Sequence, residues 1–325
     1  MPNAPTLDEI KAASETLAGQ IIRTPVVRLS HDRIPALPNG ATVSSKLELF
    51  QETGTFKARG VLLAIMAASS KEKEAGFVAV SGGNHALAVA YGAKKFGIRA
   101  RVIMPKATDP ARIEGCRSLG AEVELAEDIA TGVARMEELA AEGATALHPF
   151  ESPYMTLGAA TCGLEIMQDI TELDAVVVPV GGGGLISGIS RAVKLINPSC
   201  EVIGVEPFGA DTMTRSFAEG TPQAIEKVQT IADSLGAPSA QPYSFSLAKD
   251  HVDQMICVDD QALINAMGLL YDGLKIVAEP ACAATTAAAT GPLREHLAGK
   301  NVALVACGSN IGPARFHELL SQRSV

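Results

Sequence analysis

The chain has 325 residues, 47% of them apolar, and carries a formal net charge of −9 with a sequence pI near 5.2. This size and apolar fraction suffice for two packed domains. An acidic balance without a basic stripe lacks the electrostatic footprint of a nucleic-acid binder, so small polar molecules are the expected partners.

From Met1 to Gln20 the apolar residues are interrupted by Asp8, Glu9, Lys11 and Glu15. Neither a basic n-region nor an apolar h-region for secretion is present. No apolar stretch anywhere reaches the length of a membrane span, so no membrane partner is expected and the expected compartment is the cytoplasm.

The segment Gly54-Thr55-Phe56-Lys57-Ala58-Arg59-Gly60 comes next. Alone, Lys57 reads as a solvated residue at a helix start. A lysine amine can also form a Schiff base with an aldehyde cofactor, provided that a partly desolvated pocket keeps some of it neutral.

Between Gly76 and Leu147 short apolar runs alternate with helical patterns. Phe77 to Val80, Ala100 to Met104, Ala121 to Leu125 and Thr145 to Leu147 read as strands, separated by helices over Asn84 to Phe96, Pro110 to Leu119 and Ile129 to Ala141. Repeated βα units imply a parallel sheet. Its first turn, Ser81-Gly82-Gly83-Asn84-His85-Ala86, admits two readings. Ser81 or Asn84 would serve as an ordinary helix N-cap, or the backbone N–H groups would hold a substrate carboxylate and leave Asn84 free to bond a ring hydroxyl.

A buried strand from Leu173 to Val180 leads into Gly181, Gly182, Gly183 and Gly184, then into a helix from Leu185 to Ile196. Four residues without Cβ let the backbone curl around an anion, and the helix N-terminus adds about half a positive charge. The run is not a dinucleotide fingerprint, because the G-x-G-x-x-G registers end at Ile186 and Ser187. Nor is it a P-loop, because Leu185-Ile186 replaces the lysine and hydroxyl residue. A phosphorylated cofactor, held by the glycines and reached by Lys57, is the combined reading. The alternative is a tight strand-to-helix turn with no ligand.

A second series of strands begins at Ala175 and continues with Val202 to Glu206, Gln254 to Val258 and Val302 to Ala306. The stretch from Pro222 to Lys249, richer in Pro, Ser and Gln, reads as a long surface excursion. Two sheets imply two α/β lobes with the ligand in the crevice between them. Ala306-Cys307-Gly308-Ser309-Asn310 closes the last strand, with Cys307 as either a small core residue or a crevice thiol. It and the other five cysteines form no C-x-x-C pair and are read as free thiols.

These elements, in this order and spacing, resemble the fold-type II pyridoxal-phosphate enzymes, specifically the serine/threonine dehydratase group that includes serine racemase. Thr24-Pro25, His148-Pro149-Phe150, Gly163-Leu164-Glu165-Ile166 and Glu279-Pro280-Ala281 extend the resemblance across nearly the whole chain. It implies an α/β fold of two lobes, each an open, mostly parallel twisted sheet flanked by helices, as in the tryptophan synthase β chain. Residues 1–52 and 152–325 would form a large cofactor-binding domain, and 53–151 a small mobile domain carrying the substrate carboxylate loop.

By the same resemblance Lys57 is the catalytic Schiff-base lysine and Phe56 packs beside the ring of pyridoxal 5'-phosphate. Asn84 contacts the ring hydroxyl, and Gly181, Gly182, Gly183 and Gly184 with the Leu185 N–H hold the phosphate. Glu279 and Cys307 complete the cofactor-binding set, Cys307 beside the pyridine nitrogen. Ser81, Gly83, Asn84 and His85 receive the substrate carboxylate. Glu206 and Ala210 match two members of a divalent cation site, for magnesium or calcium, although Thr212 stands where a carboxylate would be expected. Relatives imply a homodimer or homotetramer.

The activity implied is elimination of water from a β-hydroxy amino acid such as L-serine, L-threonine or a 3-hydroxyaspartate-like compound, giving a 2-oxo acid and ammonia. Racemases of the group place a serine where Gly82 stands, so a lyase is expected over a racemase. A non-catalytic sensor of the cofactor or of an amino acid is the other alternative. A second departure is Gly158-Ala159-Ala160-Thr161, where the family often has Gly-Gln-Gly-Thr. Arg215 is one basic residue that would pair with a second substrate carboxylate if it faced the site.

Overall fold

The computed structural model describes residues 3–324. Ten strands form two sheets: β1 (Val26–Arg28), β2 (Thr42–Leu47), β3 (Phe77–Val80), β4 (Ala100–Pro105), β5 (Glu122–Ala126), β6 (Thr145–Ala146), β7 (Ala175–Pro179), β8 (Glu201–Pro207), β9 (Gln254–Val258) and β10 (Asn301–Ala306). The larger sheet has the order β1-β2-β10-β7-β8-β9 and the smaller the order β5-β4-β3-β6. Every pairing is parallel except that of β1 with β2. This is the α/β architecture of two parallel sheets expected from the alternating pattern.

Helices on both faces explain why the central strands read as continuous apolar runs without a period of two. Val176, Val177 and Val178 of β7 are fully buried, as are Val302 and Ala303 of β10. The covering helices approach closely because glycines line their contacts. A Cβ on Gly158 would lie 2.3 Å from the Gly60 nitrogen, and one on Gly188 would lie 2.2 Å from the Thr156 carbonyl oxygen.

Three features depart from the sequence reading. The N-terminal segment supplies a helix, Leu7–Leu17, whose Ile10, Ala13 and Leu17 are buried, and two strands of the larger sheet, none of which the sequence reading placed. β6 has only two residues. The stretch from 222 to 249 is not a surface excursion throughout: it includes most of the Pro242–His251 helix, in which Tyr243, Phe245, Leu247 and Ala248 are buried. That helix is started from a distance, by the Glu151 carboxylate accepting the N–H groups of Tyr243 at 2.6 Å and Ser244 at 3.0 Å. A cap contributed 92 residues away leaves no local signal. Among the described residues no helix is long and apolar enough to cross a membrane.

Candidate active site

Where β10 ends, the chain is stitched to the segment that carries Lys57. Thr55 and Gly308 form an antiparallel bridge, the Phe56 N–H donates to the Cys307 carbonyl at 3.3 Å, and the Ser309 N–H donates to the Gly54 carbonyl at 2.9 Å. Gly54 has φ +68°, and a Cβ there would lie 2.8 Å from Asn310 Oδ1. Only glycine accepts that conformation and that approach at little cost.

The stitch sets Lys57 as the first residue of the Lys57–Ala67 helix. Two residues on, Arg59 is fully buried between two carboxylates: its Nε and Nη2 donate to Glu48, and its Nη1 and Nη2 to Glu165, all at 2.8 Å. Lys46, also fully buried, donates to Glu165 at 2.5 Å and to the Thr24 carbonyl at 2.7 Å. Two cations and two anions thus satisfy one another in the interior, which is the condition under which buried charge is tolerated. They fix the helix start that carries Lys57.

Lys57 borders a cleft of about 410 Å³ between the two sheets. Its amine donates to the Pro149 carbonyl at 2.5 Å. Burial lowers its pKa to about 8, and the neighbouring Cys307 thiol pulls weakly the other way. A lysine so placed keeps a useful fraction of neutral, nucleophilic amine near physiological pH.

Two helix N-termini open on the same cleft, those of Asn84–Phe96 and Gly184–Ile196, and neither is capped by a side chain. Their first-turn N–H groups have no intrahelical partner and aim partial positive charge at an anion. At the second, the glycines are required by packing. A Cβ on Gly182 would lie 2.3 Å from the Phe150 ring, one on Gly184 2.9 Å from Phe150 Cβ, and one on Gly183, where φ is +90°, 2.5 Å from Met213 Cε. The cradle fits a phosphate, and the Lys57 amine, which lines the same cleft, fits an aldehyde. Leu185 is buried directly behind.

Asn84 joins a polar network between the lobes. Its Nδ2 donates to Glu279 Oε1 at 2.8 Å and to the Ser234 hydroxyl at 3.3 Å, while its Oδ1 accepts from Asn310 Nδ2 at 2.7 Å. Glu279 is fully buried and also accepts the Asn310 N–H at 3.1 Å. Burial, helped by the nearby Asp233 charge, raises its pKa to about 7; Arg112, Asn84 and Ser234 oppose the rise. A Cβ on Gly308 would lie 2.9 Å from Glu279 Oε1, so the turn after Cys307 packs directly on this carboxyl.

In the turn after β3 the Ser81 hydroxyl accepts the Gly83 N–H at 3.1 Å. His85 Nε2 lies 2.8 Å from the Leu147 carbonyl oxygen, so it is assigned as the donor and Nδ1 as the bare nitrogen. Burial, with Lys57 close by, lowers the His85 pKa to about 3. His148 is lowered to about 4, chiefly by burial. Both rings are neutral, and Lys57 therefore has no charged histidine beside it.

The structure brings Phe56, Lys57, Ser81, Gly83, Asn84, His85, the four glycines, Leu185, Glu279 and Cys307 to one cleft. Glu206 and Ala210 lie outside it. The Glu206 carboxylate caps the Thr212–Glu219 helix, accepting the N–H groups of Met213 at 2.9 Å and Thr214 at 2.6 Å together with the Thr214 hydroxyl at 2.6 Å. Among the described residues no three His, Cys, Asp or Glu side chains gather as a metal site. Arg215 pairs with Asp211 one helical turn away and does not line the cleft.

The basic residue that does line it is Arg112, from the Pro110–Ser118 helix. Arg112 and its partner Asp233 carried no motif in the sequence, nor did the carbonyl of Pro149 as the acceptor for Lys57.

The pyridoxal-phosphate dependent enzyme family matches residues 17–308. Phenylserine dehydratase of Ralstonia pickettii is 45% identical over 96% of this chain and 95% of its own length. L-threonine ammonia-lyase of Thermotoga maritima is 38% identical over 94% of this chain and 76% of its own. Among solved structures, maize serine racemase superimposes with a TM-score of 0.91 at 32% identity, covering 98% of both chains.

Proposed function

Because the chain belongs to the pyridoxal-phosphate dependent enzyme family, as an enzyme of the ammonia-lyase type, we propose that it removes water from a β-hydroxy amino acid and releases a 2-oxo acid and ammonia. The observation that carries this reading is the Lys57 amine, half-buried against a neutral carbonyl with its pKa near 8, in the same cleft as two uncapped helix N-termini. One N-terminus suits a phosphate and the other a carboxylate.

Pyridoxal phosphate, when bound, supplies an aldehyde for amines and a ring that withdraws the electron pair left behind when a proton leaves the carbon next to nitrogen. Lys57 holds the aldehyde, and Gly181 to Gly184 with the Leu185 N–H hold the phosphate. Phe56 would flank the ring, Asn84, held by Glu279, would bond its hydroxyl, and Cys307 would stand by its nitrogen. The Ser81, Gly83, Asn84 and His85 turn receives the substrate carboxylate and so orients the Cα–H bond toward the Lys57 amine, which removes that proton as a general base. The β-hydroxyl leaves as water with a proton equivalent to the one Lys57 took from Cα; the released enamine takes up a proton at Cβ, and water adds to the nitrogen-bearing carbon to give the 2-oxo acid and ammonia.

A hydrogen bond with the Cys282 thiol, together with burial, pushes the Cys307 thiol well above its ordinary pKa, so it is a neutral partner that cannot force a proton onto the ring nitrogen. This favours prompt elimination over a long-lived carbanion. Racemisation needs a second proton carrier on the opposite face. At Gly82 there is none, and a Cβ there would stand 2.7 Å from the Thr108 hydroxyl.

Lys57→Ala is expected to lower 2-oxo acid formation from L-threonine and L-phenylserine by at least about 10³-fold and to remove the absorbance of the bound cofactor imine. Turnover that persists without the amine would sink this assignment.

A further inference from the structure

Arg112 reaches across the cleft with only 13% of its side chain exposed. Its guanidinium pairs with the Asp233 carboxylate, donates to the Asn310 carbonyl at 2.9 Å, and reaches the Gly82 carbonyl at 3.4 Å. The Nε is buried and has no hydrogen-bond partner. A Cβ on Gly83 would lie 3.4 Å from Arg112 Nη1, so the ion pair hangs directly over the turn assigned to the substrate carboxylate.

Among the described residues lining the cleft, Arg112 and Lys57 face three carboxyl groups, those of Asp109, Asp233 and Glu279; His85 adds no positive charge because its ring is neutral. Beside these charges the lining is mainly apolar, with Pro105, Ala107, Ile129, Leu235, Ala237 and Pro238 interrupted by the hydroxyls of Thr108 and Ser234. Ile129 is 43% exposed on the lip. A large aliphatic side chain left in water at a ligand's entrance gains about 25 cal/mol for each Å² of apolar surface that a substrate covers.

Resting on the dehydratase reading above, we propose that the cleft selects an uncharged, apolar β-substituent, aryl groups included, and rejects a second carboxylate because Asp233 already occupies the cation that would bind it. A dicarboxylic substrate would have to displace Asp233 from Arg112 and leave three protein carboxyls around its own. Specificity is then set by repulsion as much as by fit.

The test compares holoenzyme kcat/KM for L-threo-phenylserine, L-threonine and L-threo-3-hydroxyaspartate. The first two are expected to exceed the third by at least about ten-fold, a factor equivalent to about 1.4 kcal/mol. Asp233 is 57% exposed, so Asp233→Asn should fold, as unchanged cofactor absorbance would show. It frees Arg112 and is expected to raise the hydroxyaspartate-to-threonine ratio by about ten-fold. Adding Arg112→Gln should abolish that gain.

Competition by the unreactive L-aspartate and L-2-aminobutyrate, read from the cofactor spectrum, should shift in parallel. Preference for hydroxyaspartate in the wild type, or an unmoved ratio in a folded Asp233→Asn protein, overturns the proposal. If no hydroxy amino acid turns over, the dehydratase reading falls, while the two competitors still decide this one: tighter binding of L-aspartate than of L-2-aminobutyrate by the wild type overturns it.

Discussion

Lys57 shows what placing a reactive amine in a protein wall does to the protein itself. Its pKa falls from 10.5 to about 8, so the folded chain has released a proton over a window in which the unfolded chain still holds one. Stability therefore rises with pH through that window, and the penalty on the charged amine is complete below about pH 8. Cofactor-free Lys57→Met is expected to be more stable than the cofactor-free wild type at pH 7, by about 1–2 kcal/mol after allowance for partial exposure. The gap should close above pH 10.5. Denaturant titrations at pH 7 and 10.5 check this, and a gap that does not change with pH would contradict it. Glu279 acts in the opposite window: raised to about 7, its carboxyl withdraws stability as pH climbs from about 4.5 through 7.

At this scale the sequence was legible where a residue type is itself chemically unusual. The run of four glycines stands out by itself, and it is in combination with that run that Lys57 and Cys307 acquire a functional reading. Arg112 and Asp233 are ordinary surface residue types, 121 positions apart, whose pairing arises only when the lobes meet. Glu206 shows the opposite case: the family resemblance suggested an ion there, but its oxygens accept the first-turn N–H groups of the helix that follows.

The glycine turn after β7 is an element in which backbone and ligand chemistry coincide. Gly183 has φ +90° and no room for a Cβ beside Met213. Gly183→Ala is expected to cost about 1–2 kcal/mol from the left-handed conformation, with further loss from the contact. Equilibrium dialysis should show the cofactor binding at least about ten-fold more weakly, and thermal melts should show a lower Tm. Wild-type cofactor affinity in that variant would refute the cradle. β7, a continuous apolar run, and Gly184–Ile196, with its strong helical period, were readable from their own residues. The Pro242–His251 helix was not, because Glu151 starts it from the far side of the chain.

At the scale of the molecule, the order of motifs carried the fold: no single one identifies a family, but lysine, glycine turn and strand-end cysteine, in that order, define where the cleft must lie. The polar contacts across that cleft, from Asn84 to Glu279 and from Arg112 to Asp233 and Asn310, tie segments up to 198 residues apart. We assign 53–151 as the smaller lobe. All four strands of its sheet fall between Phe77 and Ala146, so its pairing is complete within a short stretch of chain.

The larger sheet has no such economy. β10, the last strand synthesised, lies between β2 and β7, so until Asn301–Ala306 leaves the ribosome both neighbours present a bare parallel edge. Parallel pairing at this sequence separation forms slowly, and unpaired edges recruit other chains. Translation arrested at residue 300 should thus yield a nascent chain with a protease-resistant core limited to the smaller lobe and with strong retention by trigger-type chaperones; release past residue 306 should convert it to full resistance in one step. Protection of β2 and β7 in the arrested chain would show that the gap closes some other way.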